Sequence, residues 1–417
     1  MIRIQPALTA FLLTIQWTFA SPTVATKGFG VRAGGLGNNF TAVADDFSAM
    51  YWNPAGFGFT PIRELYFSAG GYHHSNEAVL QGTTTRDKQQ NFRISGAGFV
   101  RSIPTTQGGL SFAFGYFNSY LFDDIANQSG SNVYIGDDST IPYATPVYID
   151  SLTRISSGHL DNWAVSGGIQ IAQGLAVGAT LSFLSGKQNT DLRDLTRNDV
   201  YTDWASVSEK SFYGFGSTIG FLYKTSRFFA AGLRLDLPLI AKVFEDYEEL
   251  DRLYPEYSIS ASYEEQLSST LSGTWGASFS LPAILVAADA HFRSPTANTG
   301  LLTSNEELAY WKLGAGIGFE LPIKAISSRL RAGYAFNETD LQPVVIVDFP
   351  PYGSILDDYG KHMFAAGFSH LISNSINFEA GYQYSFRQLQ SGEPDFRHTT
   401  DEFHQFHKVN FGISVRY

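Results

Sequence analysis

The chain has 417 residues, of which 44% are hydrophobic, 15% are aromatic and only 16% are charged. Its formal net charge of -11, without any stripe of lysines and arginines, argues against a nucleic-acid-binding surface. Its 40 glycines, its many aromatics and a mean hydropathy of only -0.08 are typical of strands on which lipid-facing and water-facing residues alternate. No linker divides the sequence, so we expect one large domain.

The first predicted element is a secretory signal peptide over residues 1–20. Arg3 is followed by the apolar run ALTAFLLTIQW and by small residues around Ala20, in the order that such signals have. A cut after Ala25 is the alternative. The sequence has no cysteine, so we expect neither a lipid anchored through cysteine nor a disulfide. No later stretch approaches the ~18 apolar residues of a membrane helix, so a membrane role requires a β-barrel.

Residues 21–62 are too polar and too irregular for a membrane strand. They contain the stretch GLGNNFTAVADDFSAMYWNPAG, which spans residues 35–56. Asp45 is predicted to cap a short helix that continues through Tyr51. Asn53 is predicted to end this helix, because a residue that precedes proline disfavours the helical conformation. We therefore expect a compact, polar and sharply turned segment.

The rest of the chain, residues 63–417, repeats one kind of element. In the last segment Val409, Phe411 and Ile413 share one face, while Lys408 and Asn410 lie on the other. Similar segments are predicted at 64–72, 92–102, 109–119, 160–171, 175–185, 211–224, 227–236, 269–281, 283–293, 308–321, 328–337, 360–371, 375–388 and 405–417. Short turns alternate with long loops, which predicts an all-β fold, a 14-stranded antiparallel transmembrane barrel with both chain ends at the periplasmic side. A soluble all-β protein is the alternative.

Fourteen strands enclose more volume than their own side chains fill, because a barrel widens with strand number. We therefore predict that residues 21–62 form a hatch, a plug inside the lumen. An arginine at mid-bilayer on the lipid face costs about 2–4 kcal/mol, so Arg387 and Arg416 are predicted to face the lumen.

Two long loops are predicted on the outer side, at 186–210 and 245–265. The second is acidic and rich in tyrosine, and it has two interpretations. In the first interpretation, the loop binds divalent cations that bridge it to lipopolysaccharide, because carboxylates are preferred ligands of such hard cations. Alternatively, it is a partly helical, solvated lid.

An enzyme would need a serine or threonine nucleophile beside one of the nine histidines. His404 and His407 are three residues apart on a strand and therefore lie on opposite faces, where they are poor joint metal ligands. His73 and His74 are expected in or near the first extracellular loop. No Gly-x-Ser-x-Gly motif or zinc-protease motif is present. We predict no catalytic residues, no metal site and no cofactor.

The stretch at 35–56 resembles the motif of the long-chain fatty-acid transporter (FadL-like) superfamily of outer-membrane barrels. Its Gly-rich start, Ala-Asp-Asp element and Asn-Pro-Ala corner match that motif. The resemblance implies an N-terminal hatch in a 14-stranded barrel. It also implies that Asn53, Pro54 and Ala55 form the hatch corner and that Asp45 and Asp46 tie the hatch to the wall, with capping as the alternative for both aspartates.

The resemblance implies further site residues in the barrel. Plausible wall partners of the aspartates are Arg329, Arg331, Arg387 and Arg416. Gly115 is a candidate for a strand kink beside a lateral opening. Apolar residues of the two long loops would capture ligand at the surface; these are Leu192, Leu195, Tyr201, Trp204, Phe244, Leu250, Leu253 and Tyr254.

These features predict an outer-membrane passive transporter for small hydrophobic molecules, either long-chain fatty acids or aromatic and aliphatic hydrocarbons. The alternative is a non-transporting barrel that docks a partner in secretion. The expected partners are the hydrophobic ligand, membrane lipid and lipopolysaccharide, with no nucleic acid. We also expect the C-terminal strand, which ends at Tyr417, to be presented to the barrel-assembly machinery.

Overall fold

Antiparallel strands build almost the whole structure. The computed structural model describes residues 28–59, 63–80, 82–134, 145–197, 201–225, 228–268, 271–293, 312–337, 354–392 and 400–417. The predicted signal peptide at 1–20 lies outside these residues. The strands are β1 Arg63–Leu80, β2 Thr83–Ile103, β3 Leu110–Leu121, β4 Asp124–Tyr134, β5 Thr145–Ala172, β6 Leu175–Arg197, β7 Tyr201–Lys224, β8 Phe229–Asp236, β9 Ile240–Asp251, β10 Ile259–Ser268, β11 Ser272–Leu281, β12 Ile284–Arg293, β13 Lys312–Ile323, β14 Ser328–Asn337, β15 Ser354–Leu371, β16 Ile376–Gly392 and β17 Thr400–Arg416.

The strands close into a barrel whose wall has 14 positions. We call each position a stave; it holds either one strand or two strands placed end to end. Three staves are each made of two strands: β3 and β4 both pair with β5, β8 and β9 both pair with β7, and β10 and β11 pair with β9 and β8. The wall closes where β1 pairs with β17, from Glu64 opposite Arg416 to Leu80 opposite Thr400. The predicted fold class and strand number are therefore confirmed.

Side chains alternate between the lumen and the outer surface. Along β1 the even-numbered residues from Glu64 to Leu80 are buried, whereas the odd-numbered ones are exposed or half-buried. The outer surface carries large aromatics that are 40% to 70% exposed, among them Phe67, Phe99, Phe112, Trp163, Phe215, Trp275, Phe364 and Phe411. A closed wall that satisfies its own backbone groups and exposes such rings outward is suited to a lipid bilayer.

The two long outer loops differ from the prediction, because much of each is strand. β6 continues to Arg197, β7 begins at Tyr201, and β9 and β10 form a hairpin around a short 3-10 turn at Pro255–Tyr257. The partly helical lid is therefore wrong. The acidic residues of β9 lie on both of its faces, and Val243 and Tyr247 share one face with Glu245 and Glu249. Antiparallel pairing beyond the apolar band satisfies the backbone groups.

The hatch, residues 28–59 in the structure, contains helix α1 Val31–Gly35, helix α2 Ala49–Trp52 and a 3-10 helix at Pro54–Gly58. It is not the polar plug that we predicted. Its polar residues form turns, and its aromatic side chains share one core with wall residues of β1, β2 and β3. The largest hatch residues in this core are Phe29, Leu36, Phe40, Phe47, Met50, Trp52 and Phe57. No helix among the described residues is long and apolar enough to span a membrane.

Candidate functional site

An ion-pair chain anchors the hatch to the wall. Arg32 of α1 donates from Nε to Oε2 of Glu320 on β13 at 2.9 Å, and Arg331 of β14 reaches the same oxygen at 2.6 Å. Arg331 continues to Glu379 on β16 at 3.4 Å. Burial lowers the pKa of Arg32, but the carboxylates of Asp45 and Glu320 outweigh it and hold that pKa well above its usual value. The hatch therefore carries a buried, permanently charged guanidinium into an acidic part of the wall.

A second anchor lies on β12. Oδ2 of Asp289 accepts the backbone N–H groups of Phe40 and Thr41, each at 3.0 Å. Asp289 is 3% exposed, so the two donors share one buried carboxylate oxygen. Hydrogen bonds to a charged group contribute more than neutral ones, about 1.5–3 kcal/mol each.

The charges at this anchor are the reverse of the predicted ones, which placed the acids on the hatch and the arginines on the wall. Asp45 forms its ion pair with Arg32, inside the hatch. Asp46 accepts the N–H and the hydroxyl of Ser48, at 2.8 and 2.6 Å, and so caps the turn before α2. The described hydrogen bonds and ion pairs of these two aspartates lie within the hatch, and their role as ties to the wall stays a prediction. The wall supplies the acids and the hatch supplies the arginine.

Of the four predicted wall arginines, Arg331 takes part in the anchor and Arg329 lies at its edge, 3.4 Å from Oε1 of Glu320. Arg387 is buried in the lumen, as predicted, and is paired in register with His404. Arg416 is exposed at the C-terminal end of β17, where its backbone N–H donates to the carbonyl oxygen of Ser375. Tyr417 beside it is 64% exposed, and its recognition by assembly machinery stays a prediction.

The Asn-Pro-Ala corner forms hydrogen bonds both to another part of the hatch and to the wall. Nδ2 of Asn53 donates to the carbonyl oxygens of Thr41 at 2.9 Å and of Phe221 on β7 at 3.0 Å. Its Oδ1 accepts the N–H of Ala55 at 3.1 Å, and Pro54 opens the 3-10 helix. Because Asn53 is fully buried and uses both ends of its amide, this corner joins two parts of the hatch to one strand of the wall.

Glycines surround the hatch on almost every stave. At all but one of them a Cβ atom would lie within 3.0 Å of hatch atoms, and at Gly381 it would meet Val31 at 3.4 Å, so the wall backbone lies directly on the hatch. We call this set the glycine belt; it comprises Gly96, Gly98, Gly115, Gly168, Gly178, Gly220, Gly232, Gly276, Gly316, Gly318, Gly333, Gly367, Gly381 and Gly412. The belt lets backbone meet backbone, and it leaves no room at this level for the hatch to shift as a body.

The wall is interrupted between β2 and its neighbour. β2 pairs with β3 only from Gly96 opposite Phe117 to Ile103 opposite Leu110. Among the described residues, positions 83–95 of β2 pair with β1 alone, whereas β3 and then β4 follow β5. A register shift at Asn118 and Tyr120 marks the place where β3 leaves β2. We call the unpaired edge at 83–95 the wall break.

Side chains, rather than backbone ladders, bridge the wall break. Asn91 of β2 donates to Asp123 at 3.1 Å, and Arg93 contacts Asp123 at 3.8 Å and His159 of β5 at 2.6 Å. On its lipid side the edge carries Phe92 and Ile94, which are 69% and 50% exposed. A few polar links therefore hold shut a strip of wall that is otherwise unpaired.

Gly115 does not lie at this irregularity. It pairs with Gly98 within the regular part of β3, three residues before the register shift. A Cβ atom on either glycine would meet the ring of Phe47 at 2.5 Å, so the two glycines make room for that ring. Gly115 belongs to the glycine belt, and the strand leaves its neighbour beyond it.

Aromatic rings of the hatch lie next to the lower end of the wall break. Phe29 stacks on Phe117 with ring centroids 5.2 Å apart, and Tyr51 meets the same ring edge-on at 5.6 Å. Phe47 and Tyr66 continue the cluster, stacked at 5.2 Å. The wall break thus ends at Phe117, where β3 contacts an apolar cluster of the lumen.

The predicted capture residues do not form one patch. Trp204 donates to Glu249 on the lumen side of β7 and β9, whereas Phe244 lies on the outer face, 6.3 Å from the ring of Tyr213. Leu192 and Leu250 lie on β6 and β9, and Leu253 and Tyr254 are exposed at the hairpin turn. The side chains of Leu195 and Tyr201 lie outside the described residues. The predicted capture residues lie on alternate faces of strands and are therefore separated, whereas a loop could have brought them together.

The structure therefore defines a class: a 14-stranded outer-membrane β-barrel whose lumen holds an N-terminal hatch, with a wall break beside that hatch. No family model and no curated protein matches the sequence. Solved structures do match its fold over 94% of the chain.

Three of these structures illustrate the likeness. A FadL homologue of Pseudomonas aeruginosa is 10% identical, is covered over 98% of its length and has a TM-score of 0.66. The toluene transporter TodX of P. putida gives 11%, 99% and 0.63, and the toluene transporter TbuX of Ralstonia pickettii gives 14%, 99% and 0.58. The chain has the fold of the FadL-like outer-membrane barrels, which confirms at the level of fold the resemblance seen in residues 35–56.

Proposed function

We propose that this protein is a passive, non-enzymatic conduit that takes small uncharged hydrophobic molecules through the outer membrane. The observation that carries the proposal is the wall break, an unpaired strand edge that begins at an aromatic cluster of the hatch and faces lipid through Phe92 and Ile94. A continuous ladder along 83–95 would seal this route.

The proposed route is favourable for an apolar solute because the solute has a lower free energy in apolar surroundings than in water. Such a solute gains about 0.8 kcal/mol for each methylene that leaves water, so it is retained by an apolar surface and released into lipid more readily than into water. Lateral exit through the wall break needs separation only of side-chain links such as Asn91 to Asp123. Each link contributes about 0.5–3 kcal/mol, which is small beside a ladder of several backbone hydrogen bonds.

The close fit of the hatch favours this lateral route over passage straight through the lumen. Leaving the lumen along the barrel axis would require the hatch to separate from Glu320, Asp289 and the glycine belt together. We therefore propose that the hatch stays anchored and that only its edge beside Phe117 rearranges. Capture at the outer rim, with Trp204, Phe244, Leu253 and Tyr254 as candidate contacts, remains part of the proposal.

The acidic character of the β9–β10 hairpin supports an uncharged cargo. Glu245, Glu248 and Glu249 lie on β9 and Glu264 lies on β10. Lys210 pairs with Glu245 and Lys242 with Glu264, but acids outnumber bases on the hairpin, which would repel a carboxylate headgroup. The three solved structures reported above include two named toluene transporters, which is in keeping with a neutral aromatic cargo.

The test is uptake by cells that carry or lack the barrel, with a labelled long-chain fatty acid and labelled toluene as tracers. Because the chain has no native cysteine, Asn91→Cys with Asp123→Cys can be bridged across the wall break by a short bifunctional thiol reagent. Ala277→Cys with Ala288→Cys, opposite each other on the continuous β11–β12 ladder, is the control.

We expect toluene to enter faster with the barrel, and bridging to abolish this gain only in the pair at the wall break. Equal inhibition in the two pairs would refute lateral exit. Uptake that does not depend on the barrel for either tracer would refute transport of this class and leave the docking role. Faster uptake of the fatty acid alone would contradict the uncharged cargo.

A further inference from the structure

Buried polar side chains of β1, β4 and β17 meet in the upper lumen, away from the hatch. One ligand atom from each of His74, Asp124 and His404 lies within 4.8 Å of those of the other two. All three residues are at most 2% exposed. Glu402 and Asn76 lie beside them and are also buried. The buried position of His74 on β1 contradicts the expectation that it lies in or near an extracellular loop.

The hydrogen bond between His404 and Glu402 places one proton on the imidazole ring. Its Nε2 faces Oε2 of Glu402 at 3.1 Å, and a carboxylate can only accept, so this nitrogen carries the proton. The lone pair of Nδ1 then points at Nε2 of His74, 3.3 Å away. A histidine whose second nitrogen donates to a carboxylate in this way has the arrangement that is usual for metal ligands.

This arrangement leaves two acceptors facing each other. In the site without an ion, Nε2 of His74 donates to Nδ1 of His404, so Nδ1 of His74 is a bare acceptor, and Oδ1 of Asp124 lies 4.0 Å from it. An ion bound by Nδ1 of His404 would replace the hydrogen bond between the two histidines. Among the described residues neither atom has a hydrogen-bond partner. Arg154 contacts the other oxygen of Asp124 at 2.8 Å and so keeps this group a carboxylate. A cation between these two buried acceptors would satisfy both of them.

We propose that His74, Asp124 and His404 bind a divalent transition-metal ion of the zinc class. Metal bonds of about 2.0–2.2 Å to nitrogen and oxygen place two ligands of one ion no more than ~4.2 Å apart, which the 4.0 Å between Nδ1 of His74 and Oδ1 of Asp124 satisfies. Two imidazoles with one carboxylate suit zinc rather than magnesium or calcium, which prefer oxygen ligands.

The ion would fasten β4 to the seam of the barrel. β4 pairs only with β5 among the described strands, and its other edge meets β1 and β2 through side chains. His74 and His404 belong to the two strands that close the wall. A metal ion bound by Asp124 and by these two histidines would therefore fix β4, the strand that borders the upper part of the wall break. This role builds on the proposed conduit, but binding itself does not depend on transport.

The test uses the full-length barrel purified in detergent and stripped with a chelator. Zinc chloride alone is titrated by calorimetry, the bound metal is counted by mass spectrometry, and cobalt provides a visible spectrum. The variants are His74→Gln, Asp124→Asn and His404→Gln. His362→Gln on β15, whose ring contacts Tyr334, is the matched control. Heat modifiability on gels verifies that each variant forms a closed barrel.

We expect about one zinc per barrel, a tetrahedral cobalt spectrum and at least a tenfold loss of affinity in each of the three variants but not in His362→Gln. Zinc should also slow amide exchange at residues 124–127. No zinc uptake by the wild type, which would leave water or a protonated His74 between the acceptors, overturns the proposal. Equal losses in the control, or competition by magnesium, overturn it as well.

Discussion

Gly178→Ala tests how closely the wall holds the hatch. A Cβ atom at this position of β6 would lie within 2.5 Å of three backbone atoms, the carbonyl group of Pro54 and the nitrogen of Ala55. Ordinary contacts begin near 3.4 Å. The corner would therefore have to retreat by about 1 Å, which lengthens the hydrogen bond from Asn53 to Phe221 beyond its present 3.0 Å.

Overpacking of this kind costs about 1–3 kcal/mol, which corresponds to roughly a 5-fold to 150-fold rise in local opening. The assay is hydrogen exchange of residues 49–58 in the purified barrel, read by mass spectrometry. Gly71→Ala on β1 is the control, because its Cβ atom would meet nothing nearer than 3.7 Å. If residues 49–58 exchange as slowly in Gly178→Ala as in Gly71→Ala, the idea that the belt holds the hatch is refuted.

Three further changes probe the anchors. Burial, opposed by Arg32, raises the pKa of Asp46 from 3.8 to about 6, so the folded hatch holds this proton more tightly than the unfolded chain. Titration of Asp46 should therefore lower hatch stability by about 3 kcal/mol as pH rises from about 4 to about 6, and Asp46→Asn should remove this contribution while leaving that of other buried carboxyls, as read by exchange corrected for intrinsic rates. Asp289→Ala leaves two buried N–H donors unpaired and should destabilise the hatch by about 2–4 kcal/mol in urea-dependent exchange, whereas Ser278→Ala, which loses one bond to Ala42, should cost about 1 kcal/mol; equal effects would contradict the anchor. Trp52→Phe removes the 2.6 Å bond from Nε1 to Phe29 and should cost about 1 kcal/mol in the same measurement, and no change would mean that this bond adds nothing.

Strand periodicity was predictable because it is local. Val409, Phe411 and Ile413 reveal their shared face within five residues, and a repeated pattern of this kind is enough to count staves. The ends of the staves were less predictable. Beyond the apolar band both faces meet water, so the acidic sequence of β9, with acids on both faces, resembled a loop although its backbone is paired.

The anchors depend on partners far apart in sequence. Glu320 and Asp289 look like ordinary lumen acids, and only the folded hatch places Arg32 against one and two N–H groups against the other. The pairing of His74 with His404 likewise requires the closing register of β1 and β17. One signal was available: Lys408 and Asn410 fix the lumen-facing parity of β17, and His404 shares that parity.

The glycine belt also bears on how the wall closes. A finished ring this tight has no opening through which a folded plug with an aromatic core can be threaded, so the hatch must be inside before β1 meets β17. The hatch precedes β1 in the chain and is available before the last strand arrives. It then serves as a gauge of circumference, because too few strands leave it no space and too many leave its carbonyl groups out of reach of the wall.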